Sequence, residues 1–595
     1  MVRIKKFHLD IWAFIIVYSY KTPNEIILTM KLVLVQPPIQ DFYDTEIRLQ
    51  PLGLAYLKAA VKKHLPEVEV VIKDFHQGRG RRTVALPGEL TYLKDYYPFP
   101  DQSPFSLFYQ YYHFGAPFET IAREVAHEKP DLVGISSLFS PYFREVLQCA
   151  AAIKKKINCP IVLGGSHVSA VPELMLMNSA VDWVIRGEGE RPLVELIRAW
   201  QGGKGLEQVP GLGYKQDGRM LFNPPGSPCP IEELPIPDFS DLDRETYRYE
   251  KRPLCFVITS RGCPHRCSFC SVHNTFPGYK RRSVQKVFEE IECRYLGGYR
   301  VFDFEDDNLT YDREEMKKFC RKIRQGFPPG EIELLAMNGI SYQSLDRELL
   351  QLMREAGFTH LNLSLVTSNP IIRRETQRPQ GMEKYLQVIR EASQMGFKII
   401  VYQILGLPGE SLDSMIRTLC LNSRLPVILG ASPFYLTPNT AIAQRFPGQT
   451  EEDMVRSRLT ALGLETDQFG REDIYTLFII TRIINFIKGL GFHEDSIGLG
   501  GALNLARNMG KRSALGVALF EKLLKEGCLY AATKEGYQPL PKFNAGLFFN
   551  FWTSLDIIKT QKGKVIRVKN SFDITFNDGI IENIYEWKEV DRDDQ

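Results

Sequence analysis

The sequence predicts an α/β protein in three parts. These are a doubly wound parallel sheet over residues 31–215, a partial (β/α)6 barrel over 251–445 and a mainly helical region over 446–595. Three observations predict it. Short β-rich runs alternate with amphipathic helical stretches from Lys31 onward. A proline- and acid-rich stretch at 216–250, including "NPPGSPCPIEELPIPDF", interrupts the alternation as a linker. From about residue 450 the pattern turns mainly helical. Residues 1–30 form a separate N-terminal extension.

Each element has a local reason. "KLVLVQPP" reads as a buried strand stopped by Pro37 and Pro38, "LGLAYLKAAVKKHL" has apolar residues at helical spacing, and "VEVVIKDF" is a second strand. After a less regular aromatic region come "PDLVGISSL", "PIVLGGSHV" and "VDWVIRGEGE", three strands ending in Gly or Ser, the first two separated by the helix "YFREVLQCAAAIKKKI". In such sheets ligands bind beyond the carboxyl ends of the strands, where Ser136, Ser137, Gly164, Gly165, Gly187 and Gly189 fall. The second series has the strands "LCFVITS", "VFDFEDDN", "IELLAMNG", "HLNLSLV", "KIIVYQILG" and "SPFYLTP", with helices such as "SVQKVFEEIECRYL" and "LDRELLQLMREAG" between them. Its chemistry belongs at the strand C-termini. A short β-like tail, "KVIRVKNSFDITFNDGIIENI", closes the chain.

Composition narrows the function classes. With 74 Lys and Arg against 71 Asp and Glu, the net charge is +3, which gives no electrostatic case for nucleic acid. Eleven cysteines, mostly scattered, do not make a secreted disulfide scaffold and point to a reducing cytoplasm. The apolar run Ile11 to Tyr18 loosely resembles a signal peptide but has no small-residue cleavage site and is too short to span a bilayer. Translation starting near Met30 is the simpler reading, a peripheral anchor the other. No other segment has the length of an integral membrane helix.

The chemistry concentrates in "TSRGCPHRCSFCSVHN", which follows the first barrel strand and places Cys263, Cys267 and Cys270 in a Cys-x3-Cys-x2-Cys loop. Three thiolates at this spacing can hold a [4Fe–4S] cluster and leave one iron open to another ligand. Structural zinc wants four closed ligands, and His265 and His273 keep that alternative open.

With Phe269 before the last cysteine, the chain resembles the radical S-adenosylmethionine (radical SAM) superfamily over about residues 250–440. The resemblance implies that the open iron chelates SAM, which an electron from the cluster cleaves to a 5′-deoxyadenosyl radical. It implies further cofactor contacts from Glu305, Asp306, Asp307 and Asn308 in "FEDDN". "YQILGLPGE" resembles the fifth-strand segment that supports adenine, bringing in Gln403 and Gly406, with Tyr402 where glycine is often found. "LSLVTSNPIIRRETQRP" resembles the ribose and carboxylate segment, bringing in Ser364 and Arg378, but departs from the common Glu-Ser-Gly-Ser form at Val366, Thr367 and Ser368.

Upstream, "SSLFS", "GGSHVSAVPE" and "RGEGERPLVEL" resemble the Rossmann-like cobalamin-binding domain of one large radical SAM branch, over about residues 31–200. Glycines there let the backbone approach a corrinoid and serines can donate hydrogen bonds. The implied contacts are Ser136, Ser137, Gly164, Gly165, His167, Gly187, Glu188 and Gly189. "DFHQGRG" imitates a cobalt-ligating signature, but Arg79 replaces the final glycine, so His76 reads as an ordinary loop histidine.

The resemblance thus implies a cobalamin-dependent radical SAM methyltransferase that methylates an unactivated carbon by way of methylcobalamin. Its partners would be a small-molecule or peptide substrate and an electron donor such as flavodoxin or ferredoxin. Rivals are a radical cyclase or ring-rearrangement enzyme with the same cofactors and, from another class, a cobalamin- or redox-sensing regulator. A methylthiotransferase needs three suitable cysteines in the first domain, where only Cys149 and Cys159 stand.

Overall fold

The structure is a computed structural model and describes residues 30–568 except 48, 203, 204, 228, 379 and 380. The extension over 1–29 and the tail beyond 568 lie outside the described residues.

The first sheet is built on β1 (Lys31–Gln36), with α1 (Leu52–His64) leading to β2 (Glu69–Asp74). A long connection containing α2 (Phe118–His127) returns the chain to β3 (Leu132–Ser136) on the other side of β1. α3 (Phe143–Lys156), β4 (Ile161–Gly164), β5 (Trp183–Ile185) and α4 (Glu190–Trp200) follow. The parallel strands lie in the order β5-β4-β3-β1-β2, so the connections reverse direction at β1. Strand alternation covers both faces: Leu32 and Leu34 join the core shared with α1 and α4, whereas Val33 and Val35 join the one shared with α2 and α3.

The sheet runs past the expected boundary at 215. β6 (Leu212–Gln216) and β7 (Arg219–Phe222) add an antiparallel hairpin beside β5. Asp217 and Gly218 turn it, both at positive φ (50° and 74°), which is the geometry an Asp-Gly pair favours. That hairpin signal sits in what reads by composition as linker.

The second body has six parallel strands. β8 (Arg252–Val257), α5 (Val284–Leu296), β9 (Val301–Phe304), α6 (Arg313–Gly326) and β10 (Glu333–Leu335) form one half. α7 (Arg347–Ala356), β11 (His360–Val366), α8 (Met382–Gln394), β12 (Lys398–Leu405), α9 (Leu412–Ser423) and β13 (Ile428–Pro433) form the other. Isolated bridges Leu334↔Phe358 and Ile340↔Leu363 join the halves. The barrel is open, with β13 at one edge.

The C-terminal region packs on that edge. In α10 (Arg471–Lys488), Asn485 accepts from the Leu429 N–H at 2.9 Å and donates to its carbonyl at 2.8 Å, pairing a peptide of β13 that no strand reaches. α11 (Lys511–Glu526) and α12 (Ala545–Thr553) complete the layer, with small β-elements between and after them. Tyr475 and Trp552 are buried in its core. Tyr97, from the β2–β3 connection, donates to the Thr460 carbonyl at 2.8 Å, tying the first domain to this region. Among the described residues no helix is long and apolar enough to cross a membrane.

Candidate functional site

After β8 the chain forms a two-residue strand, Ser260–Arg261, paired antiparallel with Lys280–Arg281, and residues 262–279 close into a loop between them. Gly262 makes the turn possible. It has φ of 76°, and a Cβ there would stand 1.8 Å from the Gly278 carbonyl oxygen. The loop is tethered by Ser268 N–H to Thr376 O (3.1 Å) and by Ile442 N–H to Ser268 O (2.8 Å).

Cys267 is buried, and Cys263 and Cys270 are partly exposed. Burial pushes the Cys270 thiol up to about 11, and Cys267, Asp307 and Cys263 push in the same direction. The three sulfurs therefore sit near enough to feel one another's charge, and a cationic iron cluster would invert that repulsion. The histidines do not complete a zinc site. The Nε2 of His273 is engaged with the His265 carbonyl at 2.8 Å, and among the described residues the three thiols are not themselves drawn into a metal-holding group. Three loop thiols with no fourth ligand fit a cluster with one open iron.

The "FEDDN" segment splits by direction. Asp306 turns inward and accepts from Thr259 N–H (2.9 Å) and Thr259 Oγ1 (2.6 Å), so it secures the strand end and does not face a cofactor. Asp307 accepts from Gly262 N–H at 2.8 Å and holds the cysteine loop. Burial raises the Asp307 carboxyl to about 6. The Asn308 amide donates to Cys263 Sγ at 3.6 Å, while its buried Oδ1 has no protein partner. Glu305 reaches the cleft described below and accepts from Asn338 Nδ2 at 2.8 Å.

Further round the barrel, parity and packing decide where two of the expected residues face. Gln403 is buried and donates to the Met415 carbonyl of α9, on the outer face of β12. Its neighbour Tyr402 faces inward, accepting from Asn362 Nδ2 (2.6 Å) and donating to Met337 O (2.8 Å). Successive strand residues face opposite sides, so only one of the two can look inward. Gly406 has φ of 86°, but a Cβ there would meet Ile474 at 3.0 Å and Phe469 at 3.2 Å. Its lack of a side chain admits the C-terminal region. Phe269 packs with Val366, Leu407 and Phe434.

Arg378 comes up against the cysteine loop. Its guanidinium donates to Cys267 Sγ at 3.6 Å and to the Ser364 carbonyl at 3.1 Å. The departures in this segment have structural reasons. Val366 sits at φ of 73° on a bulge, Thr367 Oγ1 donates to Glu410, and Ser368 Oγ bonds Thr418 Oγ1 at 2.7 Å. The hydroxyls are thus spent on α9 and on the loop leading into it.

A cleft of about 300 Å³ lies at the carboxyl ends of β1, β3, β4 and β5, where the sheet order reverses. Ser136, Gly164, Gly165, Gly187, Glu188 and Gly189 line it, with an apolar wall that includes Leu34, Leu138, Phe139 and Val162. Gly164 has open space before it, the nearest atom to a Cβ being Ile185 O at 3.9 Å. Gly165 is needed by the protein itself, since a Cβ would fall 2.4 Å from Ser137 O at a φ of 121°.

Ser137 and His167 lie under this wall and not in it. His167 is buried, its Nδ1 3.0 Å from Ser140 Oγ, and burial lowers its pKa to about 4. Its N–H donates to Ser137 O at 3.1 Å, so the pair shapes the glycine turn without reaching the cleft. His76 is also buried, its Nε2 2.9 Å from the Ile47 carbonyl. A flat corrinoid needs a broad apolar wall and close backbone approach, and this cleft offers both.

The sequence did not disclose Arg261. It lies buried between the domains, 3.2 Å from Glu188 and 2.5 Å from Glu190, and over the rings of Tyr56 and Phe276. Lys280 also pairs with Glu188, at 2.8 Å. Glu188, expected to face a cofactor, is therefore committed to two cations. A hint was present, since Arg261 directly precedes the Gly262 turn, but its partners lie more than seventy residues away.

Comparison with known proteins agrees with this geometry. Residues 257–420 match the radical SAM superfamily and residues 108–197 the B12 binding domain. The chain thus carries a B12 binding domain followed by a radical SAM domain. It is 26% identical over 405 residues to an uncharacterised methyltransferase of Pyrococcus horikoshii, covering 67% of this chain and 79% of the relative. It is 25% identical over 431 residues to the cytidylyl-2-hydroxyethylphosphonate methyltransferase of Streptomyces wedmorensis, covering 65% and 75%. In fold it is similar to the radical SAM methyltransferase TsrM of Kitasatospora setae, solved with cobalamin and a [4Fe–4S] cluster, with a TM-score of 0.54 and 18% identity over 70% of this chain and 74% of that one.

Proposed function

We propose that the chain transfers a methyl group from SAM, by way of cobalamin, to an unactivated carbon of a small molecule or peptide. One observation carries this reading. A single cleft is walled on one side by the glycine turns of the first sheet and on the other by Glu305, Arg261, Thr275 and Phe276, beside and within the cysteine loop. A corrinoid and a cluster-bound SAM would therefore face one another across one space. Two relatives named methyltransferases align over about two thirds of this chain, whereas a magnesium-protoporphyrin IX monomethyl ester cyclase, 27% identical, aligns over 52% of it, and this difference in coverage favours transfer over cyclisation.

When bound, the cluster and SAM supply the hydrogen-abstracting radical, and cobalamin supplies the methyl carrier. The chain's residues bind and orient. Cys263, Cys267 and Cys270 would hold the cluster, with Asn308 donating to the Cys263 sulfur and Arg378 to the Cys267 sulfur. Glu305, positioned by Asn338, suits an ammonium group. Ser136, Gly164 and Gly187 offer backbone and hydroxyl contacts to the corrinoid. Neither His76 nor His167 reaches the cleft, so neither would hold a bound corrinoid. Apolar residues of the wall exclude water from the reaction space. A flavodoxin or ferredoxin in a reducing cytoplasm would serve as electron donor.

Two substitutions separate cradle from scaffold. Gly164→Val should weaken cob(II)alamin binding by roughly tenfold or more, because its side chain enters the cleft, yet leave the melting temperature within a few degrees. Gly165→Val should destabilise the protein itself by about 2–4 kcal/mol, read by chemical denaturation without cobalamin. Equal stability of both variants would contradict the assignment.

Reaction products decide the function. With substrate, anaerobic turnover should yield S-adenosylhomocysteine and 5′-deoxyadenosine in equal amounts, and methyl-deuterated SAM should label the product. Steady 5′-deoxyadenosine release with neither S-adenosylhomocysteine nor label would replace methyl transfer with cyclisation or rearrangement.

A further inference from the structure

A second cavity, of about 550 Å³, opens at the free edge of the barrel, far in sequence from the cysteine loop and lined by none of its residues. β13 forms one wall, α10 and the start of α11 the other, and Pro104 of the first domain closes one side. Its polar character comes largely from Arg482 and Arg512, with Thr481 and Ser513 beside them.

Among the described residues neither guanidinium has a hydrogen-bonded or ion-paired side chain. Arg482 rests near the Phe478 ring, its carbon 5.8 Å from the centroid, and Arg512 is exposed. Most other arginines near domain contacts are matched, as Arg261 is by two glutamates and Arg458 by Asp41. Burial lowers the Arg482 pKa and Arg512 pushes the same way, while Asp44 and Tyr97 pull against them. Two cations held together at a partly desolvated wall are unfavourable unless an anion joins them.

The backbone adds a donor. Phe434 N–H bonds back to Leu405 of β12, and Leu429 turns its N–H and carbonyl to Asn485. In a parallel ladder alternate residues bond to alternate sides, so Ala431, like Leu429, faces the open edge, and it lines the cavity. Asn485 serves Leu429, leaving the Ala431 amide directed toward the arginines' cavity.

We propose that this cavity binds the oxyanion group of a small molecule, a phosphate or a carboxylate, between Arg482 and Arg512. The inference is independent of methyl transfer and needs neither cofactor. Planar guanidinium forks match both oxyanions, and the cavity has room for an organic body behind the charged group.

The test uses the full chain at low ionic strength, titrated calorimetrically with inorganic phosphate in one arm and succinate in the other. Saturable one-to-one binding of at least one anion is expected. Arg512→Gln and Arg482→Gln should each weaken it by roughly tenfold or more, the loss of one charge-assisted contact. Arg512 is exposed, so its variant should keep the wild-type melting temperature and stand as the test even if Arg482→Gln folds poorly. Tighter phosphate binding would mark a phosphoryl ligand, tighter succinate binding a carboxylate. No saturable binding of either anion, or binding that survives Arg512→Gln, would overturn the proposal.

Discussion

Alanine in place of Cys267 should abolish 5′-deoxyadenosine formation from SAM, and alanine at Cys263 or Cys270 should do the same. All three sulfurs sit on one tethered loop and feel one another's charge, and Cys267 also accepts from Arg378. A cluster held by two protein ligands has lost the geometry that leaves a single iron open to SAM. The fold should survive. The loop lies outside the strands of the barrel, and Cys267→Ala removes one sulfur from a site without a large apolar surround, a change of about 1 kcal/mol. Iron content, circular dichroism and mass spectrometry of anaerobically reconstituted protein measure all three statements. Full 5′-deoxyadenosine production by Cys267→Ala, or stoichiometric zinc without iron in the wild type, would remove the cluster assignment.

Arg261→Met should strongly destabilise the contact between the first domain and the barrel. The side chains of Arg261, Glu188 and Glu190 are each under one-tenth exposed, so removing the cation leaves two desolvated carboxylates, one still paired with Lys280. Breaking such a buried pair costs roughly 3–5 kcal/mol. Burial pushes the Glu190 carboxyl up, but the charge and hydrogen bond of Arg261 outweigh it and leave the group below its ordinary 4.5. A depressed acid stabilises the fold above its unfolded pKa, and that contribution is lost as pH falls through the folded value. The deficit of Arg261→Met should therefore be large at pH 7 and shrink in acid, as the wild-type contribution fades from about pH 4.5 down through the lower folded pKa of Glu190. Glu190→Gln added to Arg261→Met should recover part of the loss. A deficit unchanged between pH 7 and pH 4 would show that the arginine acts through packing on Tyr56 and Phe276 instead.

Legibility followed the range of the interactions. The cysteine loop was readable because its ligands lie within eight residues of chain, and the glycine turns because each needs a local backbone geometry. Directions were harder. The motif "FEDDN" announces carboxylates at a strand end, yet Asp306 is taken by Thr259 and only Glu305 reaches the cleft. Resemblance drew attention to Gln403, whereas the pleat of β12 turns Tyr402 inward. Gly406 was brought in by resemblance, and the neighbour that comes close to it is Ile474 of the C-terminal region.

By itself, the sequence determined the order of the three parts, the alternation that builds two parallel sheets, the cysteine spacing and the turns that demand glycine. These are near-neighbour properties, set by backbone sterics and by the periodicity of apolar residues. Only the tertiary structure decided that Arg261 joins the glycine-rich loop to the cysteine loop, that Arg378 reaches Cys267, and that Arg482 and Arg512 meet at the barrel edge. Each of these pairings spans many residues of chain. Long side chains carry charge several ångströms from the backbone, so their partners are set by how whole domains pack and leave no trace in local spacing.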